Sequence, residues 1–218
     1  MMQGGGFPID LILFGMVAAF LVLRLRSVLG RRTGFERPPG ERGPVPVPPA
    51  VGPAAPVAAT PQRGVPDPRG PVGQALARIR GADPSFDPAG FLAGAEGAFR
   101  MIVEGFAAGN RPLLRDLLSD DTYAGFEGAI TDRESRGEVQ RTEIREIREA
   151  SIEGADLRGS IAEVVVRFVS DQVNLTTDAA GKPVAGADAV TELTDIWTFQ
   201  RDTRSTDPTW KLVGTRSA

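Results

Sequence analysis

Cysteine and histidine are both absent from this chain of 218 residues. Their absence excludes a disulfide framework, a thiolate nucleophile, a zinc-ribbon site and a Ser-His-Asp triad. Tyrosine occurs once, at Tyr123, so a site that pairs a carboxylate with a phenol has a single phenol to draw on. Chemistry built from carboxylates alone, a hydrolase or a magnesium site, stays open. Large apolar residues are sparse in the middle of the chain. Thirteen of the 18 prolines lie between Pro38 and Pro84, in stretches such as RPPGERGPVPVPPAVGPAAP. Such a segment buries too little apolar surface to offset the entropy of ordering, which predicts a flexible Pro-rich linker over 33–84. No PxxP cluster with a basic anchor stands out, so a spacer is the simpler reading than a polyproline ligand.

One long apolar run is present, FPIDLILFGMVAAFLVL, from Phe7 to Leu23. As a helix its 17 residues span roughly 25 Å, against a hydrocarbon core of about 30 Å. Arg24 and Arg26 have stems long enough to snorkel, so the predicted anchor extends over 7–25. Phe7, Ile9, Leu11, Ile12, Leu13, Phe14, Phe20, Leu21 and Leu23 supply its lipid-facing surface, with Asp10 near one interface. No basic residue precedes Phe7, whereas Arg24, Arg26, Arg31 and Arg32 follow Leu23. A cleavable signal peptide has the opposite order of charge, so the segment reads as an uncleaved anchor. The positive-inside rule places those arginines, and the rest of the chain, on the cytoplasmic side of the membrane.

Charge divides the chain in the same place. Residues up to Pro84 carry a net charge of +5 and those from Ser85 onward a net of −8. Anionic headgroups attract the first part. The acidic second part is a poor candidate for nucleic acid, which is not expected as a partner.

Sequence able to build a core begins near Phe86, and the predicted domain covers 85–218. Asp87 before Pro88 is a helix start, since the carboxylate caps free N–H groups and proline fits the first helical position. Leu92, Ala95, Phe99, Ile102, Val103 and Phe106 recur on one helical face, and Gly109 with Asn110 supplies a stop. Gly94 and Gly97 cost propensity, which points to close approach by another element. A short helix follows around Leu113, Leu114, Leu117 and Leu118. Ser119, Asp120 and Asp121 then start a third, carrying Tyr123, Phe126 and Ile130 and ending at Gly137. Strands are predicted near Glu143 to Glu153, in IAEVVVRFVSDQVNL, in AVTELTDIWTFQRD and in TWKLVGTRS. Ile144 and Ile147 are three apart, so either a bulge resets the alternation or helix persists there. Leu193, Trp197 and Phe199 share one strand face. The expected fold class is α+β, with an antiparallel sheet curling around the long helix.

The order of elements, with FDPAGFLAGAEGAFRMIVEGFAAGNRPLLRDLLSDDTYAGF, resembles the TIM-forty-four-like domain family. The matching residues are Phe91, Ala95, Phe99, Ile102, Phe106, Ala107, Gly109, Leu114, Leu117, Leu118, Tyr123 and Phe126, within roughly Ser85 to Ser217. The anchor followed by RLRSVLGRRTG is similar to the bacterial membrane-anchored adaptor branch of that family. The resemblance implies the cone-shaped fold shared with nuclear-transport-factor-like and ketosteroid-isomerase-like proteins. It also implies a membrane adaptor, since mitochondrial members are inner-membrane scaffolds tying an Hsp70 import motor to the translocon. The long segment that serves the motor in those proteins is not matched in this sequence. Family members contact membrane through segments at the start of the domain, and the nearest counterpart is QALARIR at 74–80. Its Leu76 and Ile79 are a candidate docking arm, or an extension packed on its own domain.

A cone fold encloses space between helix and sheet, so site chemistry must be weighed. Asp120 and Asp121 read as helix caps and Tyr123 as core. Glu192 and Asp195 fall on opposite strand faces. No acid/base pair converges, and neither enzymatic activity, a metal nor a cofactor is expected. Phe99, Phe106, Phe126, Trp197 and Phe199 are either core or a candidate pocket for a lipid tail or a partner's side chain. The alternation of Arg and Glu in RTEIREIREASIE suits a solvated face, or else a docking ladder. The expected function is a single-pass adaptor, held by membrane lipid through its anchor, whose domain binds an inner-membrane or cytoplasmic protein. Roles in protein transport or membrane-protein assembly fit that description. The alternative is a small-molecule or lipid-binding cone domain, including a degenerate isomerase-like one.

Overall fold

The computed structural model describes residues 64–217. The predicted anchor with its flanking arginines, and most of the predicted linker, lie outside these residues. No helix among the described residues is long and apolar enough to cross a membrane.

Four helices precede four strands. They are α1 (Pro71–Ala82), α2 (Pro88–Ala107), α3 (Arg111–Leu117) and α4 (Asp120–Ser135), then β1 (Val139–Arg158), β2 (Ile161–Thr177), β3 (Pro183–Asp202) and β4 (Lys211–Ser217). The strands form one antiparallel meander in the order β1-β2-β3-β4. Local chemistry sets the helix ends. The Asp87 carboxylate accepts from Gly90 N at 2.7 Å, Asn110 caps α3 by accepting from Leu113 N at 3.3 Å, and Ser119 caps α4 with Asp120 and Asp121 in the first turn. These carboxylates also face the positive end of the α4 dipole. Gly109 (φ 67°) and Gly137 (φ 66°) follow α2 and α4, where a side chain would be strained in the left-handed region.

The α+β class and the curved sheet agree with the sequence; the start of the domain does not. Helix α1 occupies part of the predicted linker, and its Leu76 and Ile79 are 3% and 0% exposed within the main core. A docking arm needs these side chains free. They are instead buried as α1 packs on β1, because an amphipathic turn gains more by covering an adjacent sheet than by remaining in water. An ion pair fixes the connection that follows. Asp83 meets Arg201 of β3 at 2.6 Å and accepts from Ser85 Oγ at 2.6 Å. The Ser85 hydrogen bond, then the Arg201 charge, hold the Asp83 carboxyl below its usual range despite burial.

Gly94 and Gly97 also depart from expectation. A Cβ at either position meets nothing within 4 Å, so no element closes on them. They lie on the outer face of α2, opposite the stripe of Leu92, Ala95, Phe99 and Ile102 that enters the core.

The spacing of Ile144 and Ile147 is resolved by bulges. Register shifts between Ile144 and Glu146, Ile147 and Glu149, and Ile152 and Gly154 each insert one residue into β1. Ile144, Ile147, Ala150 and Ile152 therefore all pair with inward-facing positions of β2, Gln172, Ser170, Phe168 and Val166. Each bulge also bends and twists the strand, and three in succession curl the sheet around α2.

Inside that curl, Phe99 stacks on Phe168 with ring centroids 4.5 Å apart and lies 4.7 Å from Trp197. Phe86, Phe91 and Trp210 close one end, with Trp210 4.8 Å from Phe91. Ala162, Val164, Val166 and Phe168 of β2 are all fully buried. On the outer face the Arg/Glu alternation forms cross-strand ion pairs, including Arg148 with Asp171 at 2.6 Å and Arg167 with Glu149 at 3.1 Å.

Candidate binding site on the inner face of the sheet

The five aromatic residues singled out from the sequence do not form one pocket. Phe99, Trp197 and Phe199 are 0%, 5% and 2% exposed and pack into the aromatic core with Phe168. Phe106 and Phe126 form a separate edge-to-face pair at 5.1 Å, only partly buried. They fall apart because α2 carries Phe99 and Phe106 nearly two turns from each other. The sheet fills the space around Phe99 and leaves Phe106 to α4.

Past Phe168 the inner face turns polar. Cross-strand register aligns Ser170 and Gln172 of β2 with Leu193 and Thr191 of β3. Ser170 and Gln172 are 0% and 3% exposed. Gln172 Nε2 donates to Ser170 Oγ at 2.8 Å, and Asn174 Nδ2 donates to Gln172 Oε1 at 3.3 Å. The chain of bonds runs on through Thr142 Oγ1, which donates to Asn174 Oδ1 at 2.7 Å, and Gln140 Nε2, which donates to Thr142 at 3.3 Å. Gln140 Oε1 accepts from Arg133. Arg133 also donates to the Phe106 and Ala107 carbonyls at 2.9 and 3.1 Å, capping the end of α2. Desolvation lowers the pKa of this buried guanidinium, which remains a cation held by carbonyl dipoles and the Phe106 ring. These polar groups satisfy one another, so the strip organises the inner face and leaves its members with protein partners.

Asp195 differs. It pairs in register with Phe168 on one side and Ser217 of β4 on the other, two residues from Trp197 on the same inward face. It accepts a long hydrogen bond from Ser217 Oγ at 3.4 Å. Burial pushes its carboxyl up to about 6, with Ser217 opposing the shift. Glu192 lies on the outer face and approaches Arg148 at 3.8 Å, as strand alternation predicts. The single phenol does not reach toward Asp195: Tyr123 is 6% exposed and donates to Glu127 of its own helix at 2.9 Å.

A second concavity, of about 300 Å³, is lined by Ser119, Arg201, Asp202, Asp207 and Lys211 among others. Its cations are engaged. Arg201 holds Asp83, and Lys211 donates to the Asp116 carbonyl. Among the described residues no group of three or more acidic side chains could hold a metal ion.

Asp195 itself escaped the sequence reading except as a member of a rejected pair. Its alternation with Trp197 and Phe199 was a usable signal, because a carboxylate on an apolar strand face demands a reason.

Comparison with known proteins supplies further findings. The family model described as "Tim44-like domain" matches residues 72–217, so its start coincides with α1. Among solved structures the chain is similar to the one titled "Crystal structure of intermembrane space region of chloroplast protein ARC6", with a TM-score of 0.43 and 13% identity over 58% of this chain and 95% of that chain. No curated protein sequence matches.

Proposed function

Starting from the fact that this chain belongs to the Tim44-like domain family, we propose that it is a membrane-anchored adaptor whose domain binds a protein partner. The observation that carries this reading is how the polar groups of the inner face are used. The strip from Ser170 to Arg133 is bonded along its length, Tyr123 is engaged by Glu127, and among the described residues no second acid or base is bonded to Asp195. General acid/base catalysis needs its proton donor or acceptor within hydrogen-bond reach of a substrate, and chemistry that pairs a carboxylate with a phenol needs both groups at one site; a binding platform needs neither.

The anchor is the apolar run of Phe7 to Leu23 with arginines behind it, and the proline-rich segment between run and domain acts as a tether. Tethering raises the effective concentration of the domain for a partner in the same membrane, so avidity increases without additional contacts. The charge pattern favours an orientation with the domain in the cytoplasm, the resemblance to the bacterial membrane-anchored branch favours the inner membrane, and the family's link to translocation adaptors supports a contribution to protein transport or membrane-protein assembly.

Photo-crosslinking from the domain in intact membranes tests the proposal. A discrete adduct with one protein is expected. Failure to trap any protein from positions covering both sheet faces and the exposed face of α2 overturns it. A reporter fused after Ala218 and active only on the outer side overturns the orientation.

A further inference from the structure

We infer that Asp195 is the seat for one cationic group, the ammonium or guanidinium of a Lys or Arg side chain presented by the protein partner. The inference rests on the adaptor reading above and names the chemistry of its contact.

Two other carboxylates of the sheet are met by a basic side chain from the neighbouring strand, Asp171 by Arg148 at 2.6 Å and Glu149 by Arg167 at 3.1 Å. Both pairs lie on the outer face. Asp195 faces inward, where β2 offers Phe168 and Ser170 and β4 offers Ser217. None of these carries a charge. Arg216, next along β4, pairs with the outward Ile196. Burial raises the affinity of Asp195 for a proton, and no neighbouring charge contributes.

An anion in this position has lost much of its hydration without gaining a counter-ion. It is poised to gain from a donor that brings positive charge and displaces the remaining water. Leu193, partly exposed and two residues away on the same face, suits the methylene stem of a Lys or Arg side chain whose charged tip meets the carboxylate. The domain's net charge of −8 from Ser85 onward steers a basic partner toward it. Asp195 is only half-buried, so a cation reaches it without unfolding the sheet.

The test uses the full chain in lipid nanodiscs, with the aspartate carboxyls labelled with carbon-13. n-Butylammonium chloride serves as the side-chain probe, and sodium chloride at equal ionic strength as control. If the probe binds only the ionised carboxyl, the Asp195 titration midpoint falls by about one unit when the probe is at roughly nine times its dissociation constant. A midpoint that is the same in both salts overturns the inference. Asp195→Asn should abolish probe-dependent shifts at Trp197 and Ser217; their persistence also overturns it.

The source of the cation is read separately. A photo-crosslinker at Leu193 in intact membranes should give an adduct that Asp195→Asn reduces about tenfold, the scale of one charge-assisted hydrogen bond. An equal adduct in both proteins overturns the seat and leaves the adaptor reading standing. No adduct from any position on the domain overturns the adaptor reading and, with it, a protein as the source of the cation, even where butylammonium binds.

Discussion

Replacing Asp195 with asparagine should stabilise the domain at neutral pH and leave its stability nearly unchanged in acid. The folded carboxyl has its pKa pushed up to about 6 by burial, whereas an unfolded aspartate titrates near about 3.9. With the folded value the higher, the folded state takes up its proton first as pH falls. The ionised side chain therefore costs the fold stability. That cost is absent below about pH 4, grows between about 4 and 6, and is complete above roughly 6.5. A gap of about two units corresponds to at most about 3 kcal/mol. Because Asp195 is partly open to solvent, water screens the charge, and about 1–2 kcal/mol is the more realistic gain. Asparagine retains the shape and an oxygen to accept from Ser217, so the substitution removes charge and little else. The corresponding rise in Tm is roughly 2–8 °C for a domain of this size. Urea unfolding from pH 4 to 8, followed by the fluorescence of the two tryptophans, reads the effect directly, as Trp197 and Trp210 both lie in the domain. Subtracting variant from wild type cancels every other titrating group. A difference that stays constant across this range would refute the reasoning, as would a variant less stable than wild type at pH 7.5.

Three further outcomes are expected. Ile79→Ala should cost about 2–5 kcal/mol in urea unfolding, because Ile79 is 0% exposed; a cost near zero means that α1 is detached in solution. Gly94→Ala and Gly97→Ala should each stabilise by about 0.5–1 kcal/mol, since the added methyl meets nothing within 4 Å, and a loss of stability in either shows that some element covers that face. Asp83→Asn should lower the urea midpoint at pH 7. The Ser85 hydrogen bond and then the Arg201 charge depress the folded pKa below the ordinary 3.8, so the stabilisation is present above that value and lost as pH falls through the lower one. The gap between variant and wild type should accordingly close in strong acid; a gap independent of pH assigns the loss to packing instead.

Legibility varied with the range of the interaction. The starts of α2 and α4 were readable because Asp87 and Ser119 bond backbone groups within three residues, a distance that sequence spacing specifies. The shared face of Leu193, Trp197 and Phe199 followed from the two-residue period of a strand. The aromatic set was half legible. Helical spacing placed Phe99 and Phe106 on one face, but nothing in their order revealed that Phe168 would stack on the first and Phe126 on the second. Helix α1 was obscured by Pro71, Gly73 and Gly81, and by having only two large side chains fully buried in the core, Leu76 and Ile79.

The sequence by itself determined the chemistry that is closed to this protein, the ends of its main helices and the division between a basic, apolar-led beginning and an acidic domain. These depend on composition and on contacts within a few residues. Tertiary structure alone decided that α1 belongs to the core, that three bulges bring Ile144, Ile147, Ala150 and Ile152 to one face, and that Gly94 and Gly97 look outward. It also decided that Asp195 lies inward without a basic partner while Asp171, on the neighbouring strand, has one. The physical reason is register. A strand's own sequence fixes which residues alternate, but which face meets the helices, and which charges it meets across the sheet, are settled only when distant strands pair.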